Sequence, residues 1–294
     1  MNDEIKKHFP FACKAEMPKA GEFLSKSTQK YDLWFWDNNT FVLENPMNTN
    51  GDLVFPPHPE SIYLANLIPF AMPNGKFLDV GIGSGILSIT AAQRGWKTVG
   101  VDINEKALRI AKINAMLNEA QCDFIKDDLA QEQEKNYFDF CIANLPFEPT
   151  PTGEKNFLHS DGGEYGDSLI HKFIPIAHTL LKPNGVVVLP CFSLMRDNRS
   201  RFEEYLENLE DFNFISAIIR LSIPLDISPL CHRFKNHSEV CSKFKKEGYN
   251  NFVVEMGLLK KTEDNRRFLG VMAKILADKS WLSPSGITVF KSCD

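Results

Sequence analysis

From residue 76 onward, short apolar runs alternate with stretches whose apolar positions recur every three or four residues. Lys76–Ile82, Thr98–Ile103, Asp123–Asp127, Phe138–Ala143, Val186–Cys191, Ile215–Ile223 and Asn251–Leu259 read as strands. Between them, Ser84–Arg94, Glu105–Asn118, Asp167–Leu181 and Arg199–Leu209 read as helices. Leu169, Ile170, Phe173, Ile174, Ile176 and Ala177 line one face of the third, and Lys182-Pro183-Asn184-Gly185 supplies its stop signal. A further helix is expected over Glu60–Ala71, with Pro59 and the acidic Glu60 suited to its first turn. Strands alternating with helices predict an α/β fold, a parallel sheet with helices on both faces. The polar stretch Pro224–Tyr249 is too long for a simple turn and reads as an insertion. The expected organisation is an N-terminal extension over 1–56, a main domain over 57–261 carrying the insertion 224–249, and a C-terminal extension over 262–294. Neither an internal repeat nor a low-complexity tract is visible.

The 294 residues suit one domain with additions. A net charge of -5 gives no general attraction to nucleic acid or anionic membrane. The charge is uneven, because residues 231–279 hold eleven Lys and Arg against six Asp and Glu. The start, Met-Asn-Asp-Glu-Ile-Lys-Lys, has no apolar run, and no segment approaches the roughly 18 apolar residues of a membrane span. A cytoplasmic location without a membrane partner is expected. Seven cysteines lacking Cys-x-x-Cys spacing suggest neither a disulfide framework nor a metal site, and Cys141 reads as core.

The candidate chemistry starts at Leu78-Asp79-Val80-Gly81-Ile82-Gly83-Ser84-Gly85, where a strand delivers an acid and three alternate glycines to the start of a helix. Glycines there let the backbone turn tightly and approach a ligand. A dinucleotide loop needs Gly-x-Gly-x-x-Gly or Ala, and Ile86 stands at the closing position, so the spacing argues against NAD. In an open parallel sheet, ligands bind beyond the carboxyl ends of the strands, so Asn144-Leu145-Pro146-Phe147, which ends the strand Phe138–Ala143, should face the same ligand.

The glycine loop, with Asp102 at the end of the next strand, resembles the S-adenosylmethionine site of class I methyltransferases. Asn144–Phe147 is similar to the (Asn/Asp)-Pro-Pro-(Tyr/Phe) motif of members acting on planar amide or amino nitrogens. Asp161-Gly162-Gly163-Glu164-Tyr165-Gly166 resembles the Asp-Gly-Gly-x-x-Gly signature of HemK-type protein-(glutamine-N5) methyltransferases, and Val54–Ser61 and the hairpin Trp34–Leu43, turning at Asp37-Asn38-Asn39, resemble that family too. The likeness spans roughly residues 31–195. It implies a Rossmann-like, mostly parallel seven-stranded sheet with Asn251–Leu259 inserted antiparallel.

By residue, the resemblance implies S-adenosylmethionine contacts from Asp79, Gly81, Gly83, Gly85, Asp102, Ile103, Asp128 and Asn144. Asp79 would lie near the methionine ammonium, Asp102 would accept from the ribose hydroxyls, and Asp128 would lie near the adenine. Asn144 and the Leu145 carbonyl would hold the acceptor's N–H groups, Pro146 would stiffen the turn and Phe147 would stack on the planar group; Glu60 and Asp161 are further substrate candidates. His58, Leu145 and Pro190 depart from the family pattern, and residues 1–30 offer no counterpart of the helical domain with which the family docks its protein substrate. The expected reaction is methylation of a planar nitrogen, foremost a glutamine-type amide of a protein or small metabolite. The runner-up is an RNA or DNA amino group, since Asn-Leu-Pro-Phe is also close to the motif of adenine dimethylases. A third reading is a catalytically degenerate cofactor-binding scaffold.

Overall fold

The computed structural model describes residues 24–27, 31–44, 54, 56–57, 59–154, 158–209, 211–263 and 268–273. His58 and the cations Arg266 and Arg267 lie outside the described residues. Two compact units divide the described residues: one holds those from 24 to 144 together with 176–187, the other 145–175 and those from 188 onward.

In the first unit, β1 (Leu24–Ser27), β2 (Tyr31–Trp36) and β3 (Asn39–Glu44) form an antiparallel sheet in that order. Asp37 and Asn38 both take positive φ, 48° and 62°, the two-residue turn whose twist matches a hairpin. Asn39, Phe41 and Leu43 are buried and alternate with half-buried Thr40 and Val42, the period of a strand with one covered face. Helix α1 (Pro59–Leu67) ends before the expected Ala71, because Pro69 biases the chain ahead of it out of helical conformation. Its freed carbonyls at Ala65 and Ile68 accept hydrogen bonds from the Arg94 guanidinium.

The strands β4 (Lys76–Val80), β5 (Lys97–Asp102), β6 (Cys122–Lys126) and β7 (Phe138–Ala143) are parallel, in the order β7-β4-β5-β6. β4 and β7 are buried almost throughout, as central parallel strands must be, whereas β6 at the edge is mostly exposed or half-buried. Helices α2 (Ile86–Gln93) and α3 (Glu105–Leu117) pack on these strands. Asn104 caps α3 by accepting from the Lys106 amide at 2.9 Å.

Helix α4 (Ser168–Leu180) and strand β8 (Leu181–Arg196) each run through both units. The expected turn at Lys182–Gly185 falls inside β8 rather than between elements, although Asn184 keeps a turn-like φ of 66°. Asn136 and Tyr137 donate to the last carbonyls of α4, at Thr179 and Leu180, which carries the helix end straight into the strand.

In the second unit, Asp197 and Asn198, with φ of 50° and 62°, turn β8 back onto β9 (Arg199–Ser200). The helix expected from Arg199 therefore starts later, as α5 (Arg201–Glu207), where Ser200 Oγ accepts from the Glu203 amide at 3.0 Å. Strand β10 (Phe214–Arg220) follows, and the insertion folds as β11 (Leu225–Asp226), α6 (Ser228–Cys231) and α7 (His237–Lys246). β12 (Asn251–Lys261) lies antiparallel to β10, as expected. It is not the last strand, since β13 (Phe268–Ala273) pairs parallel with β10 on the other side. The fold is mixed α/β with a parallel-dominated central sheet. Seven strands, β4 to β8, β10 and β12, match the expected set, and β9, β11 and β13 add to it.

Candidate active site

The carboxyl ends of β4, β5 and β7 bring the glycine loop, Asp102 and Asn144 together within the first unit. The loop leaves β4 held to the end of β5, because the amides of Gly81 and Ile82 donate to the Val101 carbonyl. Gly81 takes φ of 78°, and a Cβ there would lie 3.1 Å from the Asn144 carbonyl oxygen. Gly85 takes φ of 85°, and a Cβ there would press on Ala111 at 3.0 Å, so glycine lets α2 start close against α3. Around Gly83 the same position meets nothing within 4 Å.

The two acids sit differently. Asp79 is fully buried, its Oδ2 accepting from the Ser88 amide at 2.9 Å and the Ser88 hydroxyl at 2.7 Å, while Oδ1 has no hydrogen-bond partner among the described residues. Burial pushes its carboxyl up to about 7 against those two bonds, and Asp102 adds to the rise. Asp102 accepts from the Gly83 amide at 3.2 Å and from the Asn104 amide at 2.8 Å. Burial raises its pKa too, opposed by backbone bonds from Asn104, Gly83 and Ile103. Ile103 beside it is 52% exposed, an apolar face next to a carboxylate. Asp128 is exposed beyond β6, whereas its neighbour Asp127 is buried and accepts from Gln133 at 2.7 Å. Glu60 stands on a separate element, half-buried in the first turn of α1.

In the second unit, Leu145 is buried, and Pro146 and Phe147 are half-buried. The Phe147 ring meets Phe192 edge to face, with centroids 5.1 Å apart. The Asp-Gly-Gly segment is bound to this stretch by its backbone. Glu148 and Asp161 form a parallel bridge, the Glu148 amide donates to the Ser160 carbonyl at 3.0 Å, and the Gly162 amide donates to the Glu148 carbonyl at 2.9 Å. A Cβ on Gly166 would fall 2.4 Å from the Phe147 carbonyl oxygen, so only glycine admits the approach. Asp161 is exposed, and its Oδ1 accepts from the Gly163 amide at 2.9 Å.

Comparison with known sequences decides the family. Residues 61–211 match the methyltransferase small domain. The chain belongs to the methyltransferase small-domain family. It is an S-adenosylmethionine-dependent methyltransferase. A Methanocaldococcus jannaschii chain with the provisional name protein N5-glutamine methyltransferase is 34% identical over 59% of this chain and 87% of its own. A release factor glutamine methyltransferase of Flavobacterium psychrophilum is 28% identical over 69% of this chain and 71% of its own. A ribosomal protein L11 methyltransferase of Dictyoglomus turgidum is 34% identical over 45% and 46%.

The methyltransferase's residues suit its cofactor on three counts. Asp79 Oδ1 is a buried acceptor lacking a donor or a cation, and the space at Gly83 is open. Asp102 spends one lone pair of each oxygen on a backbone amide, which leaves others for hydroxyl donors. Ser88 and Asn114 escaped the sequence reading, although both shape this site. Ser88 holds Asp79, and Asn114, fully buried on α3, donates to the Ser84 carbonyl at 2.8 Å and accepts from the Val42 amide at 2.8 Å. The visible signal for Asn114 was a lone amide on an otherwise apolar helix face.

Proposed function

We propose that this methyltransferase transfers a methyl group to the side-chain amide nitrogen of a glutamine in a protein. The observation that carries the reading is the 3.1 Å approach of the Asn144 carbonyl oxygen to the Gly81 Cβ position, which sets the first residue of the acceptor motif against the cofactor loop inside one unit. The names of the Methanocaldococcus and Flavobacterium relatives support glutamine as acceptor.

When bound, S-adenosylmethionine supplies an electrophilic methyl on a positively charged sulfur. In this reading Asp102 accepts from the ribose hydroxyls, Ile103 and Asp128 flank the adenine, Gly81, Gly83 and Gly85 admit the cofactor to the backbone, and Asp79 faces the methionine ammonium. An amide nitrogen is a poor nucleophile because its lone pair is delocalised. The Asn144 side-chain oxygen and the Leu145 carbonyl hold its N–H groups and turn the lone pair toward the methyl. Pro146 stiffens the turn and Phe147 offers an aromatic face to the planar amide, with Glu60 and Asp161 as outer substrate contacts. The acceptor nitrogen would gain the methyl carbon and give up its proton to solvent, while Asn144 and Leu145 hold its remaining N–H. Positioning supplies most of the acceleration.

The charge of the second unit also favours a protein acceptor, since Arg233 and Lys243 are already paired with Glu148 and Glu164. Among the described residues no helix is long and apolar enough to cross a membrane. We place the reaction in the cytoplasm.

Labelled methyl transfer to a panel of short glutamine-containing peptides tests the proposal. The label should survive nuclease treatment and be lost when glutamine is replaced by leucine. Asn144→Ala should leave S-adenosylmethionine affinity within about twofold while lowering turnover by about 10²–10³, the usual loss for a positioned polar group at a reacting centre. Turnover within threefold of wild type would make Asn144 a structural residue.

A further inference from the structure

The insertion 224–249 reaches the stretch that follows the acceptor motif at three separate points. Arg233 Nη2 donates to Glu148 Oε2 at 2.7 Å, with side chains only 20% and 17% exposed. The Glu154 carboxylate accepts from the backbone amides of Lys235 and Asn236, at 3.2 and 3.0 Å. Lys243 on α7 pairs with Glu164, and that pairing pulls the Glu164 carboxyl below the usual range. Tyr165 fills the space beside the last pair, its ring centroid 5.8 Å from Phe244 and 6.1 Å from Tyr249, and its hydroxyl donates to Glu247 at 3.0 Å. Glu148, Glu154 and Glu164 on one segment are thus met by Arg233, the Lys235 and Asn236 amides and Lys243 on another, some 80 residues away in sequence and within the same unit.

Glu148 is the residue immediately after Phe147, and its backbone amide and carbonyl both bond to the Asp-Gly-Gly segment. Its side chain is ion-paired with Arg233. A half-buried pair of this kind costs more to break than an exposed one, because the surviving charge is left poorly solvated. We infer that Arg233 and Glu148 are positioning residues for methyl transfer, and that the insertion is a clasp holding Leu145–Phe147 and the Asp-Gly-Gly segment in one geometry. The inference rests on the glutamine-acceptor reading for its turnover readout only. Without the clasp the aromatic and carbonyl groups of 145–147 sample a wider range of positions, and the acceptor nitrogen is less often aligned. Asp79, Asp102 and the glycine loop belong to the other unit.

The test uses the full chain and four variants: Arg233→Ala, Glu148→Gln, the charge-swapped pair Glu148→Arg with Arg233→Glu, and Lys245→Ala as an exposed control on α7 of the insertion. The probes are glutamine-containing peptides for turnover, S-adenosylmethionine for binding, and hydrogen exchange at the amides of Glu148, Thr150 and Gly162. Arg233→Ala and Glu148→Gln should each lower kcat about 10- to 50-fold, with S-adenosylmethionine affinity within twofold and exchange at the three amides faster by tenfold or more, as loss of a positioning contact implies. The charge-swapped pair should recover most of both losses, which a merely structural role for either residue would not produce, and Lys245→Ala should match wild type. Turnover within twofold of wild type in both single variants, or a swap no better than they are, overturns the inference. If the wild type methylates no peptide, the acceptor reading fails by itself. Exchange then judges the clasp: acceleration in Arg233→Ala with recovery in the swap supports it, and unchanged exchange overturns it.

Discussion

Asp79 and Asp102 are both acids at the end of a strand, yet their surroundings give them different work. Asp102 keeps lone pairs free at an accessible edge beside Ile103, so Asp102→Ala should remove charge-assisted hydrogen bonds of about 1.5–3 kcal/mol and weaken S-adenosylmethionine about tenfold or more. Calorimetry on the folded variant checks this. Asp79 carries a pKa raised from 3.8 to about 7 by burial. In that window the folded chain keeps a proton that the unfolded chain has lost, so this group's contribution to stability is complete below about pH 4 and falls as pH rises toward 7. A cation seated at Asp79 Oδ1 reverses the raised pKa and expels the proton. Affinity for S-adenosylmethionine should therefore climb as pH rises through the region of 7, with proton release visible as a buffer-dependent binding enthalpy. In Asp79→Asn both the pH dependence and the proton release should vanish, and a wild-type affinity that is flat with pH would remove Asp79 from the cation's surroundings. The spacing of acids and glycines made these positions readable in sequence. The partner of Asp79 was not, because Ser88 looks like any serine in a helix until the fold turns it onto a buried carboxylate.

At the level of elements, Asn114 joins the hairpin to the glycine loop. One amide on α3 accepts from the Val42 amide in the hairpin and donates to the Ser84 carbonyl in the glycine loop. Asn114→Ala leaves both groups without their bond, at a cost of about 1–3 kcal/mol for each buried group left unsatisfied. The thermal midpoint should fall by several degrees, and S-adenosylmethionine affinity should fall with it because the loop loses a support. A midpoint within one degree of wild type would show that water replaces the amide. Helix and strand existence was legible from periodicity, and β7 matched to the residue. The misreadings have local causes: Pro69 shortened α1, and a second Asp-Asn turn at 197–198 turned the expected first residues of α5 into β9. That turn repeats the Asp-Asn pair of 37–38, and both pairs take positive φ. β13 had no comparable signal, since a short apolar run after a charged stretch does not reveal which strand it will join.

For the whole molecule, the net charge of -5 and the internal use of Arg233 and Lys243 lead to a shallow salt dependence. Each phosphate neutralised in a nucleic-acid complex steepens the log–log slope by about 0.7–0.9, so acceptor affinity measured against salt should slope by less than one such contact. A slope equivalent to several phosphates, lost on Lys245→Glu and Lys246→Glu, would transfer the acceptor to RNA or DNA. Sequence alone determined the alternation of strands and helices, the glycine loop with its two acids, and the Asn-Leu-Pro-Phe motif, because each is a local pattern written in period, spacing and backbone freedom. Only the tertiary structure decided that the basic insertion pairs Arg233 and Lys243 with Glu148 and Glu164, that Asp79 is buried against Ser88, and that Asn114 joins the hairpin to the loop. Those are meetings between residues 9 to 85 positions apart, and which side chains meet at such distances depends on how the whole chain packs.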